Sequence, residues 1–202
     1  MLAPASVANG CGAATSIAKH FRRTIEMDSG ELLTRWTVRI AMICYGLSIG
    51  LRLSRTSSAD AKRIPNAVVA LWSTGCAFYL AHFYFAFKYF MRWSHAVAVE
   101  HTAVRSAEVV GLRFGGGIYF NYAFTVVWLI DAAWMLFAAD GYARRPRWYD
   151  YVLHGFMGFM AFHAVVTFGP SPTRWYGVAA CVLLAAIWLR ARSQREPREA
   201  TA

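Results

Sequence analysis

Long stretches without ionisable side chains constrain this chain more than any other feature. From Ile64 to Phe87, 24 consecutive residues contain no Asp, Glu, Lys or Arg. Phe114 to Ala139 gives 26, broken only by Asp131, and Tyr151 to Thr173 gives 23 with none. Trp175 to Leu189 adds a run of 15 between Arg174 and Arg190, whose long stems can reach lipid headgroups. A hydrocarbon core about 30 Å thick takes about 20 apolar residues of helix. In lipid every backbone polar group must be satisfied internally, which leaves only helices and closed barrels. Barrel strands would alternate apolar and polar residues in segments of about ten, and these runs do not alternate. The expected fold is therefore an all-α membrane bundle, with transmembrane helices over about 64–91, 114–139, 151–170 and 174–190.

A fifth, N-terminal helix is expected over about 33–53. Its uncharged centre, Ile40 to Leu51, has only 12 residues, about 18 Å of helix. Leu32, Leu33, Trp36 and Val38 extend it while holding Arg35 and Arg39 near one interface. These features favour a span over an amphipathic helix lying on the surface. Residues 1–31 form a small-residue-rich, loosely ordered segment, and Met1 to Arg23 lacks the apolar core of a secretory signal. Residues 32–192 make the transmembrane domain, and 193–202 a basic tail.

Charge then suggests an orientation. The chain carries 21 Lys and Arg against 11 Asp and Glu, a formal charge of +10, yet only 16% of residues are charged and 57% are hydrophobic. Soluble domains carry about 25% charged residues, and a disordered basic tail would be poor in apolar ones. With five spans, eleven basic residues fall on the side of Arg52, Arg144 and Arg190, and ten on the other. If the first segment does not cross, the split becomes sixteen against five. Either way the positive-inside rule puts the C-terminal tail in the cytoplasm and the 92–113 loop outside. A bacterial-type inner membrane is the expected compartment. Trp and Tyr near the run ends, among them Trp148, Tyr149 and Tyr151, read as interfacial anchors. No basic face interleaves with aromatics outside the membrane, so nucleic acid is excluded as a partner. The expected partners are the bilayer itself and another membrane protein or a second copy.

Polar groups inside a bilayer are costly, so each is a candidate for function. His82 and His163 both fall on the outer side of their helix midpoints, by roughly 8–9 Å and 2–5 Å at 1.5 Å per residue. Two imidazoles on facing helices are the ligand set of a b-type haem, and the many nearby Phe and Tyr would suit a flat apolar cofactor or a quinone. Asp131 lies toward the inner side, as does His154, and a contact between them is expected across the short 140–150 connection. His154 and His163 are nine residues apart, about 180° on an ideal helix, so both cannot face one core without distortion. Asn121 is the remaining polar intramembrane candidate.

The outer loop reads as an amphipathic helix over about 94–110, with His101, Arg105 and Glu108 as its polar stripe and Gly111 as its stop. His95, Glu100 and His101 do not share one face, which argues against a metal site there. Gly115, Gly116 and Gly117 read as a flexible connector rather than a close chain approach. Cys11, Cys44, Cys76 and Cys181 are scattered and form neither a disulfide framework nor a zinc site. No nucleophile elbow, metalloprotease signature or phosphate loop appears.

These features rank a non-catalytic or accessory membrane component first. A haem- or quinone-linked redox protein using His82 and His163 comes second, and a small transporter or channel using Asp131, Asn121 and His154 third. All three require lipid as solvent. After cell disruption and high-speed centrifugation without detergent the chain should pellet with the membranes, and recovery in the supernatant would contradict the fold class.

Overall fold

The computed structural model describes the backbone of residues 9–55, 64–169 and 171–194, with side chains in the first helix described from Asp28 onward. Among these residues the structure is helical, without strands. Helix α1 runs Asn9–Leu53, α2 Asn66–Ala86, α3 His95–Val110, α4 Gly117–Phe137, α5 Ala139–Ala143, α6 Arg147–Phe162 and α7 Ser171–Ser193. Two of them end in a π turn, Phe87–Met91 after α2 and His163–Thr167 after α6. The all-α reading holds.

Four helices are long and apolar enough to cross a membrane: Asp28–Leu53, Asn66–Met91, Gly117–Phe137 and Ser171–Ser193. The membership of this set differs from the expectation. The N-terminal helix, the weaker candidate in sequence, belongs to it, whereas α6 with its π turn does not. Arg147 and Asp150 open that segment, and His154, His163 and two glycines dilute its apolar character. It nevertheless runs the height of the bundle, since its first turns meet α4 and α5 while Phe168, just past its end, accepts a hydrogen bond from Arg105 of α3 at 3.1 Å.

The first helix reaches further upstream than its expected span of about 33–53. The helix that spans begins at Asn9, not near residue 33. Apolar length marks only the part of a helix that lies in lipid. Upstream, Ala13, Ala14, Ala18, Lys19 and Arg22 are good helix formers whatever their polarity. Residues 1–8 and the tail from Arg195 lie outside the described residues, as do Lys62 and Arg63.

The bundle is built around aromatic residues. Trp72 and Tyr79 of α2 pack with Phe124 and Trp128 of α4 and Tyr45 of α1, ring centroids standing 4.8–5.9 Å apart. Leu153 and Met157 close this core from α6, and Tyr142 from α5. Most other apolar side chains face outward: Ile43, Leu47, Ile130, Val152 and Val182 are all more than half exposed, as expected where lipid replaces water. Helix α7 is the extreme case, with only Gly177 and Ala191 buried.

One end of the bundle carries α3. Ser94 caps it, its hydroxyl accepting from the Val97 amide at 3.4 Å, and Gly111 ends it at φ 76°, a conformation that favours glycine. The turn before it is less usual, because Arg92 and Trp93 both adopt positive φ, 49° and 57°. Trp93 is held there by ring contacts with Tyr84 and Phe87. The glycines after α3 are a close approach rather than a flexible connector. A Cβ on Gly115 would stand 2.7 Å from Val99 Cγ1 and 2.8 Å from the Val99 carbonyl oxygen, so its absence lets α3 lie on the entry to α4. Gly115→Ala should therefore cost about 1–3 kcal/mol through overpacking and loosen α3 to protease. Gly46→Ala, in a helix with nothing within 4 Å of the new methyl, should instead add about 0.5–1 kcal/mol. Thermal unfolding in detergent micelles measures both, and equal effects would contradict the packing of α3.

Candidate functional site

The opposite end of the bundle holds a buried polar cluster. Asp131, on the last third of α4, is wholly buried. Its helix face is set by the spacing Phe124, Trp128, Asp131, Met135, all buried at intervals of three or four residues. The carboxylate receives two phenol donors: Tyr142 donates to Oδ2 at 3.1 Å and Tyr149 to Oδ1 at 3.3 Å. Tyr142 sits on α5, a single turn immediately after α4, and Tyr149 on the first turn of α6. The tight reversal at Arg144–Pro146 thus folds both hydroxyls back onto an acid of the preceding helix.

Two arginines close around the phenols. Arg52, in the last turn of α1, donates from Nη2 to the Tyr142 hydroxyl at 3.4 Å. Arg145 lies with its guanidinium carbon 3.6 Å from the Tyr142 ring centroid, a cation–π contact in a site largely closed to solvent. Its side chain is only 7% exposed. It is fully engaged, donating to the Tyr142 carbonyl at 2.6 Å and to the Asp150 carboxylate. Burial pushes the Tyr142 phenol up to about 12, against the opposing pull of Arg52. Its hydroxyl therefore remains a donor at any physiological pH. Asp131, Tyr142, Tyr149, Arg52 and Arg145 together tie α1, α4, α5 and α6 at one level.

The expected Asp131–His154 contact is not made. Both oxygens of Asp131 are taken by the tyrosines, while the His154 ring stands edge-on to Trp72 at 5.5 Å, 84° between planes. Neither His154 nitrogen has a hydrogen-bond partner among the described residues, although both are buried. Asn121 does not join the cluster; it is half-buried, and its backbone carbonyl accepts from Thr125 at 2.8 Å.

Nor does any contact bring His82 and His163 together. His82 turns toward α1, where its Nδ1 donates to the Thr34 carbonyl at 2.9 Å, and packs against Tyr79. His163 opens the π turn; its Nδ1 donates to the Phe159 carbonyl one turn back at 2.9 Å, and its ring lies tilted against Phe159 at 4.2 Å and edge-on to Phe162, two phenylalanines that face outward. The two histidines face apart, as their spacing requires, and His154 is the inward one. Among the described residues no three His, Cys, Asp or Glu side chains converge as metal ligands.

The tyrosines and arginines of the cluster escaped the sequence reading as a site. Tyr149 was legible as an anchor, and Arg52 and Arg145 as topological charges. The signal available was Asp131 itself, since a buried carboxylate requires donors and the 140–150 connection is the nearest source of them. A further polar cluster lies at the α3 end, where His95 bridges the Tyr122 and Tyr119 hydroxyls at 3.0 and 3.2 Å and so fixes α3 on α4. No family model, curated protein or solved structure matches the chain.

Hydrogen bonds to a charged group contribute about 1.5–3 kcal/mol. Tyr142→Phe, which removes the donor shared between Asp131 and the Arg52 contact, should lower stability by about 2 kcal/mol, and Tyr149→Phe, with a longer bond on a more exposed ring, by less. Asp131→Leu should weaken the fold further by leaving both phenols unpaired. Unfolding midpoints in micelles check the order, and a Tyr142→Phe chain as stable as the parent would show the cluster to be idle.

Proposed function

We propose that this protein is a non-catalytic, accessory component of a bacterial-type inner membrane, with the Arg52 end of the bundle toward the cytoplasm. The observation that carries this reading is the closed environment of Asp131. An intramembrane acid that moves protons or cations must be reached by water or by its cargo, whereas Asp131 is wholly buried and each of its oxygens accepts a hydroxyl from a tyrosine of the next two helices. The cluster behaves as a clasp between helix ends. The described basic residues beyond these ends, Arg55, Arg144, Arg147, Arg190 and Arg192, support the orientation through their attraction to anionic cytoplasmic headgroups. An accessory role also suits α7, which is a span with little buried surface of its own and so is available to another membrane protein or to a second copy.

The two alternative uses of the polar residues gain less from the geometry. A b-type haem or a quinone held between His82 and His163 requires rings that face a common space, and these turn to different neighbours. A transport path through Asp131, Asn121 and His154 requires those groups to communicate, and their described partners differ.

One preparation tests all three readings. Protein purified in mild detergent from haem-competent cells should be colourless before and after dithionite, and proteoliposomes should pass protons and monovalent cations no faster than protein-free vesicles. A Soret band lost in His82→Ala or His163→Ala, or a cation or proton flux abolished by Asp131→Asn, would overturn the proposal.

A further inference from the structure

Beside the clasp, and sharing Arg52 with it, lies a set of polar atoms that the clasp leaves unpaired. The Trp72 indole is its centre: Arg52 Cζ lies 5.5 Å over that ring, and the rings of His154 and Trp128 each stand 5.5 Å from it. Each of the four side chains carries at least one unpartnered atom. Arg52 Nε, Trp72 Nε1, Trp128 Nε1 and both ring nitrogens of His154 are buried, and none has a hydrogen-bond partner among the described residues. Leaving buried polar groups unpaired costs about 1–3 kcal/mol each, and folded proteins pair the great majority. Five such atoms on four side chains packed around one ring leave this part of the bundle short of acceptors.

Their chemistry selects the occupant. Guanidinium and indole N–H groups can only donate, and a neutral imidazole offers one donor and one acceptor. The protein side thus presents four donors against a single acceptor, and a water molecule with two lone pairs cannot serve them all. The charge points the same way. Arg145 has its carboxylate in Asp150, whereas no described carboxylate lies within ion-pair distance of Arg52, whose one side-chain hydrogen bond is the 3.4 Å contact to Tyr142. Asp131, the nearest acid in this network, reaches Arg52 only through that phenol and already accepts two hydroxyls. Trp72, Trp128 and Tyr142 are wholly buried, which restricts the occupant to a small ion.

We propose that Arg52, Trp72, Trp128 and His154 form a binding site for a small monovalent anion, of the halide or formate class, at the Arg52 end of the bundle. The site shares Arg52 with the Asp131 clasp but uses the Nε that the clasp leaves unpaired, and it stands whether or not the chain is an accessory component.

The full chain in micelles, transferred to gluconate buffer, is titrated with chloride or formate at constant ionic strength. Binding at one site should raise the unfolding midpoint by about 5–10 °C at an anion concentration about 100 times Kd, with no rise in gluconate. The rise should vanish in Arg52→Gln and shrink in His154→Phe. A second readout needs no variant: bromide, a heavy-atom quencher, should reduce tryptophan emission with a saturable component over the same concentrations. Identical midpoints in all three anions, a rise that persists in both variants, or quenching that is only linear in bromide would each overturn the proposal. A His154→Phe chain more stable than the parent in every anion would overturn it too, because the imidazole nitrogens would then be simply unsatisfied.

Discussion

One carboxylate in a place without water organises an entire end of this molecule. An ionised or hydrogen-bonding acid in hydrocarbon has no solvent to turn to, so its partners must come from the chain. Asp131 recruits Tyr142 and Tyr149, and those phenols in turn bring Arg52 and Arg145 within reach. Asp131, Tyr142, Tyr149 and Arg52 each sit on a different helix and Arg145 in the turn between α5 and α6, so a local requirement for hydrogen bonds becomes a statement about where α1, α4, α5 and α6 must end. The short connection between α4 and α6 is part of that answer. Only a tight reversal returns two tyrosines to an acid 11 and 18 residues earlier.

Away from that end, packing and close approach take over. The aromatic core between α1, α2 and α4 supplies dispersion contact, which in lipid matters more than apolar burial because surrounding acyl chains are equally apolar. At the α3 end the fastenings are short-range: the Gly115 approach to Val99, the His95 bridge to two tyrosines, and the ion pair between Arg113 and Glu100. Both π turns fall at this end as well. Such turns are common where a helix must re-aim its final residues, and here each precedes a change of chain direction.

The parts of this architecture that lipid dictates were legible in sequence. Hydrocarbon thickness sets helix length, so the uncharged runs located α2, α4 and α7 within a few residues, and Gly111 marked the end of α3. The parts that depend on which face meets which were not. Helical phase separated His154 from His163 but could not say which of them looked inward. A tyrosine near a helix end is equally good as an interfacial anchor and as a buried donor, so Tyr149 carried no sign of its role until α6 was folded against α4. The apolar criterion located less of α1 than the structure holds, because a helix continues past the lipid boundary where helix-forming residues continue. Its reading of α6 stands on length, since that helix runs the height of the bundle although histidines and glycines dilute it.

The two histidine environments on α6 illustrate how strongly partner supply governs the outcome. His163 lies one turn above Phe159, whose carbonyl is within reach, and its ring is satisfied by its own helix while facing outward. His154 is turned inward onto Trp72, while the tyrosines engage both oxygens of Asp131 and Arg145 pairs with Asp150. The clasp and the unpartnered donors are therefore two sides of one distribution. By concentrating the available acceptors on one side of the Arg52 guanidinium, the fold leaves the other side, with two indoles and an imidazole, short of them. An anion placed there would complete the hydrogen bonding of this end without altering the clasp.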